Sequence, residues 1–104
     1  MTKAKLIKEG DVYTALVKGH AGYAAEGFDI VCSAVSIILY TLAEFLEKHP
    51  EIKSESVIEK GYAKITIDAK TSDAKNAVEL LVCGFEILDN MAPDYFEFEQ
   101  IISS

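Results

Sequence analysis

The order of apolar patterns along the chain predicts an α+β fold: a two-layer sandwich in which a mainly antiparallel sheet packs against two helices, in the order strand-strand-helix-strand-strand-helix. Three observations carry this expectation. Two pairs of alternating segments, at 4–19 and 54–70, each contain a glycine near the expected turn. Each pair is followed by a long stretch of helically spaced apolar residues with no internal proline. A length of 104 residues, 50% of them apolar, predicts one domain over 1–104 with a single core.

The first hairpin joins "AKLIKE" to "VYTALVKG" through "EGD", where Gly10 can take a positive φ. In its second strand Val12, Thr14, Leu16 and Lys18 alternate with Tyr13, Ala15 and Val17. Both faces are largely apolar, which places this strand centrally. "IVCSAVSIILYTLAEFLEKH" reads as a helix over 30–48, with Asp29 as N-cap and Pro50 as its stop. Positions 31, 34, 35, 38, 42, 45 and 46 share one face, and Ile30, Ile37 and Leu39 widen it, so a second subunit is a candidate cover. His49 is expected to interact with the C-terminal end of the helix dipole.

The second hairpin pairs "SESVIEKG" with "YAKITIDAK", with Gly61 near the turn. "TSDAKNAVELLVCGFEILDNM" follows as a helix capped by Thr71 or Ser72 and stopped before Pro93. The segment "DYFEFEQII" alternates like a strand and is expected to add an edge.

Composition excludes several function classes. A formal charge of -7, with ten lysines scattered along the chain, disfavours a nucleic-acid partner and favours a basic peptide. The window Ile30 to Leu46 is interrupted by Ser33, Ser36, Thr41 and Glu44, which argues against a membrane span of about 20 apolar residues. Early charge in "MTKAKLIKEGD" argues against a signal peptide, so a cytoplasmic location with reduced thiols is expected. No histidine and cysteine stand at zinc-ligand spacing, and Gly19, Gly22 and Gly27 fit no nucleotide loop; neither metal nor cofactor is expected.

The stretch "GHAGYAAEGFDIVCSAVS" carries the candidate chemistry. His20 ends a strand and Cys32 begins a helix, and the intervening loop can fold back to make them neighbours. With Asp29 as cap, Cys32 is the third helical residue, near unpaired N–H groups and the positive end of the dipole. Lowering an ordinary thiol from about 8.5 to 7 takes about 2 kcal/mol, whereas a helix terminus offers roughly 0.3–1 kcal/mol. A neighbouring imidazolium can supply the remainder, so Cys32 and His20 make sense as nucleophile and base. The backbone N–H groups of Cys32 and Ser33 are candidate oxyanion donors. Asp29 can cap the helix or orient His20, and both roles stay open. Ser36, one turn after Cys32, shares its helical face. Gly22 and Gly27 make "AGYAAEGF" a candidate mobile loop ordering over bound peptide.

Plainer readings compete. A cysteine in an apolar helix is most often a buried small residue, and Cys83 fits that description, with Gly84 permitting close helix packing. Glu26 reads as a loop surface charge, and the tyrosines as core or interface residues.

Gly19-His20-Ala21, then Gly27, Asp29-Ile30-Val31-Cys32 and Ser36, resemble the signature of the bacterial ribosomal-processing cysteine protease, the Prp family. Ser33 stands where alanine is common in that family. The resemblance implies an α/β homodimer with His20 and Cys32 as the catalytic dyad and Asp29 and Ser36 as supporting residues. It also implies the substrate: the N-terminal extension of a large-subunit ribosomal protein, recognised by aromatic and apolar residues before the cut. The leading expectation is therefore a cysteine endopeptidase acting on that precursor. The alternatives are a non-catalytic, ribosome-associated peptide-binding module and a redox sensor using Cys32 with Cys83.

Overall fold

The computed structural model describes residues 1–19 and 26–103, the segment 26–29 by its backbone alone. Two short turns set its hairpins. Gly10, at φ 62°, links β1 (Thr2–Glu9) to β2 (Val12–Lys18), and Gly61, at φ 78°, links β3 (Ser54–Glu59) to β4 (Tyr62–Asp68). Both values lie in the left-handed region that glycine enters without a Cβ penalty. Helix α1 (Glu26–Glu47) follows β2, helix α2 (Ser72–Met91) follows β4, and β5 (Phe96–Ser103) comes after α2.

The five strands form one sheet in the order β3-β4-β2-β1-β5. All neighbours are antiparallel except β1 and β5, which run parallel from Thr2↔Phe96 to Glu9↔Ser103. The α+β sandwich expected from the sequence is the fold observed, with β2 in the middle and the added strand at an edge. The parallel pairing at that edge follows from a helix crossover between β4 and β5, which returns the chain in the same direction as β1.

One face of the sheet is covered. Its rows pair Ala4 with Val17 and Ala63, and Leu6 with Ala15 and Ile65, all buried. The alanines let the helices approach closely. Helix α1 lays Val31, Val35, Leu39, Leu42 and Leu46 onto this surface, and α2 lays Ala74, Val78, Leu81 and Phe85. Phe85, fully buried, meets Phe96 at 5.5 Å and Phe98 at 5.3 Å between ring centroids, which ties α2 to the edge strand. Thr71 caps α2 by accepting from the Ala74 N–H at 3.1 Å. At the far end of α1, His49 stacks on Phe45 and its Nδ1–H donates to the Phe45 carbonyl at 2.8 Å, the C-terminal role expected for it.

Three expectations need correction. First, α1 begins at Glu26, so Asp29 lies within the helix and not at its cap, and Glu26 and Gly27 are helical, not loop. An acid is favoured in the first turn by the macrodipole as well as at the cap, and one glycine there costs only about 1 kcal/mol, so nothing stops the helix from starting early. Second, Cys83 is exposed: α2 turns Ala77, Leu81 and Phe85 inward, which leaves Cys83 on its outer side. Third, the lysines are not wholly scattered. Strand register brings Lys3, Lys5, Lys18 and Lys64 to the open face of the sheet, interleaved with Glu55, Glu59, Glu97 and Glu99.

The helical surface divides as its width suggested. Leu39 is buried, whereas Ile30 and Ile37 are 67% and 64% exposed. Helix α1 is long and apolar enough to cross a membrane by length and composition. In the fold, its stripe from Val31 to Leu46 packs in the core.

Candidate active site

Cys32 is the seventh residue of α1, and Ser36 and Tyr40 follow at one-turn intervals on the same side. Facing this row is the β3–β4 turn, Glu59 to Tyr62. A cleft of about 340 Å³ separates them, floored by Val17, Val35, Leu39 and Ala63. Cys32 is half-buried at its wall, and Ser36 and Tyr40 are exposed. The surroundings suit an extended peptide: an apolar floor for side chains, and hydroxyls, Glu59 and Lys60 around the mouth.

The cleft opens at the end of the sheet where β2 finishes. Gly19, one residue past β2, lines it together with Thr2 and Gly61. The next residue in the chain is His20. His20 and Gly22 fall outside the described residues, as does the greater part of the expected mobile loop. The structure gives the place, Gly19, at which the chain leaves the sheet, and the role of His20 stays an expectation from the sequence.

The early start of α1 changes the local electrostatics. In an α-helix the unpaired N–H groups belong to the first turn, and later ones bond the carbonyl four residues back. Cys32 and Ser33 stand beyond that turn, so their backbone N–H groups are engaged within the helix and are not free oxyanion donors. The dipole's effect also falls off within the first turn, leaving Cys32 more dependent on a charged neighbour than a third helical residue would be. Asp29, three residues before Cys32, is left without its capping role. Ser33 is exposed.

Tyr40, Tyr62, Glu59 and Lys60 line the cleft but carry no motif that sequence reading could have used. Only the strand register, which puts the second turn opposite α1, brings them there. A larger groove of about 580 Å³ runs between α1 and α2 and contains Cys83 and Gly84. Among the described residues, no histidine lines that groove. A Cβ on Gly84 would lie 3.3 Å from Ile38 Cδ1, which is the close helix packing expected of this glycine.

Comparison with known proteins agrees with this geometry. Among solved structures, SMU.848 from Streptococcus mutans superposes with a TM-score of 0.82 at 22% identity, covering 99% of each chain. The ribosomal processing protease Prp from Staphylococcus aureus with a substrate peptide gives a TM-score of 0.84 at 13% identity, over 96% of this chain and 99% of that one. The same protease with a covalently linked product peptide gives 0.81 at 16% identity, with coverage of 96% and 99%. At these identities the likeness establishes the fold. No curated protein sequence matches the chain. The family model for Cysteine protease Prp matches residues 1–97. With a cysteine at the wall of a peptide-sized cleft and this match over almost the whole length, the chain belongs to the Prp family of cysteine proteases.

Proposed function

We propose that this protein is a cytoplasmic cysteine endopeptidase that removes the N-terminal extension of a large-subunit ribosomal protein precursor. The observation that carries this reading is the placement of Cys32 and Ser36 in a cleft that also contains Gly19, the residue that leads into His20. The Cys32 thiolate attacks the scissile carbonyl, and His20, having taken the thiol proton, gives it to the leaving amine. Water then hydrolyses the thioester with His20 as base. Asp29, on α1 one turn before Cys32, orients the imidazole, and the Ser36 hydroxyl offers a hydrogen bond within the cleft. Support for a peptide ligand comes from the S. aureus relatives, which share the fold and hold substrate and product peptides.

The enzyme acts as a homodimer. Ile37 and Leu80, 64% and 71% exposed, border the interhelical groove, and a second copy would cover this apolar surface. A Leu80→Glu variant is expected to sediment as a monomer where the parent sediments as a dimer.

The deciding experiment is incubation with the precursor from the same cell, read by intact mass. The parent is expected to release one N-terminal peptide. Cys32→Ala, Cys32→Ser and His20→Ala are expected to release none while keeping the parent's circular dichroism. Normal cleavage by any of the three would sink the mechanism. Binding of the extension without cleavage by the parent itself would favour a peptide-holding module, the reading that the charge of -7 alone supports.

A further inference from the structure

The register of the sheet continues one step beyond β2. Lys18 pairs with Lys3 on one side and Tyr62 on the other, so Gly19 stands between Thr2 and Gly61. Its N–H donates to the Gly61 carbonyl at 3.1 Å. There is no room for a side chain on either glycine. A Cβ on Gly19 would lie 2.9 Å from the Thr2 Cβ and Cγ2, and nearer still to Oγ1. A Cβ on Gly61 would lie 2.8 Å from the Gly19 carbonyl oxygen, on a backbone whose φ is already 78°. Thr2 is fixed in turn: it is 4% exposed, and its N–H donates to the Tyr95 carbonyl at 2.9 Å.

Gly19 is thus gripped from both sides at the wall of the cleft that contains Cys32. From this grip we infer that Thr2, Gly19 and Gly61 are positioning residues for catalysis: they fix the direction in which the chain leaves the sheet beside the cleft that contains Cys32. The inference rests on the reading of His20 as the general base. None of the three touches the reacting atoms through a functional group. Their contribution is geometric, and a displacement of about 1 Å at a base can cost about a hundredfold in rate. Gly61 belongs to the turn that forms the opposite wall of the cleft.

The test uses three variants in the full chain: Gly61→Ala, Gly19→Ala, and Gly19→Ala combined with Thr2→Gly, which removes the obstructing side chain. Cleavage kinetics are measured on the precursor, together with the iodoacetamide alkylation rate of Cys32, with the exposed Cys83 as reference in the same molecule. The two single variants are expected to lose at least about tenfold in kcat, with a smaller change in KM. Their Cys32 should react almost as slowly as it does in His20→Ala, with Cys83 unchanged. The double variant should regain most of both. Folded single variants with the parent's kcat and Cys32 reactivity, in a protein that His20→Ala inactivates, would overturn the clasp and leave the base assignment standing. Normal cleavage by His20→Ala would remove both. If Gly61→Ala does not fold, the Gly19→Ala pair decides, since failure of Thr2→Gly to restore kcat also overturns the inference.

Discussion

Replacing Gly84 with alanine sets two effects of similar size against each other, and the structure says which prevails. Alanine in a helix interior is favoured over glycine by about 1 kcal/mol. Against this, the new methyl would lie 3.3 Å from Ile38 Cδ1 and 3.5 Å from Cγ1, so Ile38 must give way by a few tenths of an ångström. The near atom is the free end of a side chain, and Ile38 borders the open interhelical groove into which it can turn. A partial rotamer displacement of this kind costs about 0.5 kcal/mol. The balance predicts stabilisation by about 0.5 kcal/mol, or a melting temperature about 2–4 °C higher for a domain near this size. Gly10→Ala provides the opposite case. Nothing lies within 4 Å of its added Cβ, yet φ is 62°, and the left-handed conformation costs alanine about 1 kcal/mol. Urea unfolding at constant m-value measures both. A lower midpoint for Gly84→Ala would refute the reasoning, because it would mean that α1 and α2 meet too rigidly for Ile38 to move.

Phe85→Ala removes a fully buried ring between Phe96 and Phe98 and should cost about 3–5 kcal/mol, a large part of a domain's stability, visible by calorimetry as a broad loss of melting temperature. Thr71→Ala leaves the Ala74 N–H without its acceptor and should cost about 1 kcal/mol, with Thr71→Ser close to the parent in the same urea assay. Cys83 should titrate fully with a disulfide reagent in the folded Leu80→Glu monomer and more slowly in the parent, whose second copy would cover the groove that Cys83 lines; a monomer thiol that needs denaturant to react would contradict its exposure.

The legible parts of the fold were those in which local chemistry admits one solution. Gly10 and Gly61 mark turns that require positive φ, and the two apolar faces of β2 demand neighbours on both sides. Thr71 and Pro93 frame α2 for similarly local reasons. Where one residue type serves two purposes, sequence reading failed. Asp29 would be equally suitable as a cap or as a first-turn acid, and only the path of the chain from β2 decides between them. Cys83 was misjudged for another reason: helical spacing puts it on the side of α2 that carries Asn76, Glu79, Glu86 and Asn90, opposite the buried Ala77, Leu81, Phe85 and Leu88, and the general tendency of cysteine to be buried was weighed above that spacing. In the candidate site, Cys32 and Ser36 were legible from their spacing on one helix. The opposite wall was not, because Glu59, Lys60 and Tyr62 reach it through a register spanning the whole sheet. The grip on Gly19 was equally hidden, since it depends on the residue that β1 places beside it.

The parallel ladder between β1 and β5 bears on how the protein is made. The partner of Thr2 is Phe96, so β1, which leaves the ribosome well before β5, waits for residues far later in the chain before its outer edge is paired. Until then Phe85 lacks the rings that cover it, and the edge at Ala4 and Leu6 remains open to other chains. Closing a contact of such long sequence separation is slow. Nascent chains that stall before residue 96 therefore carry an exposed, sticky strand, and the finished protease comes together only when its two distant segments meet.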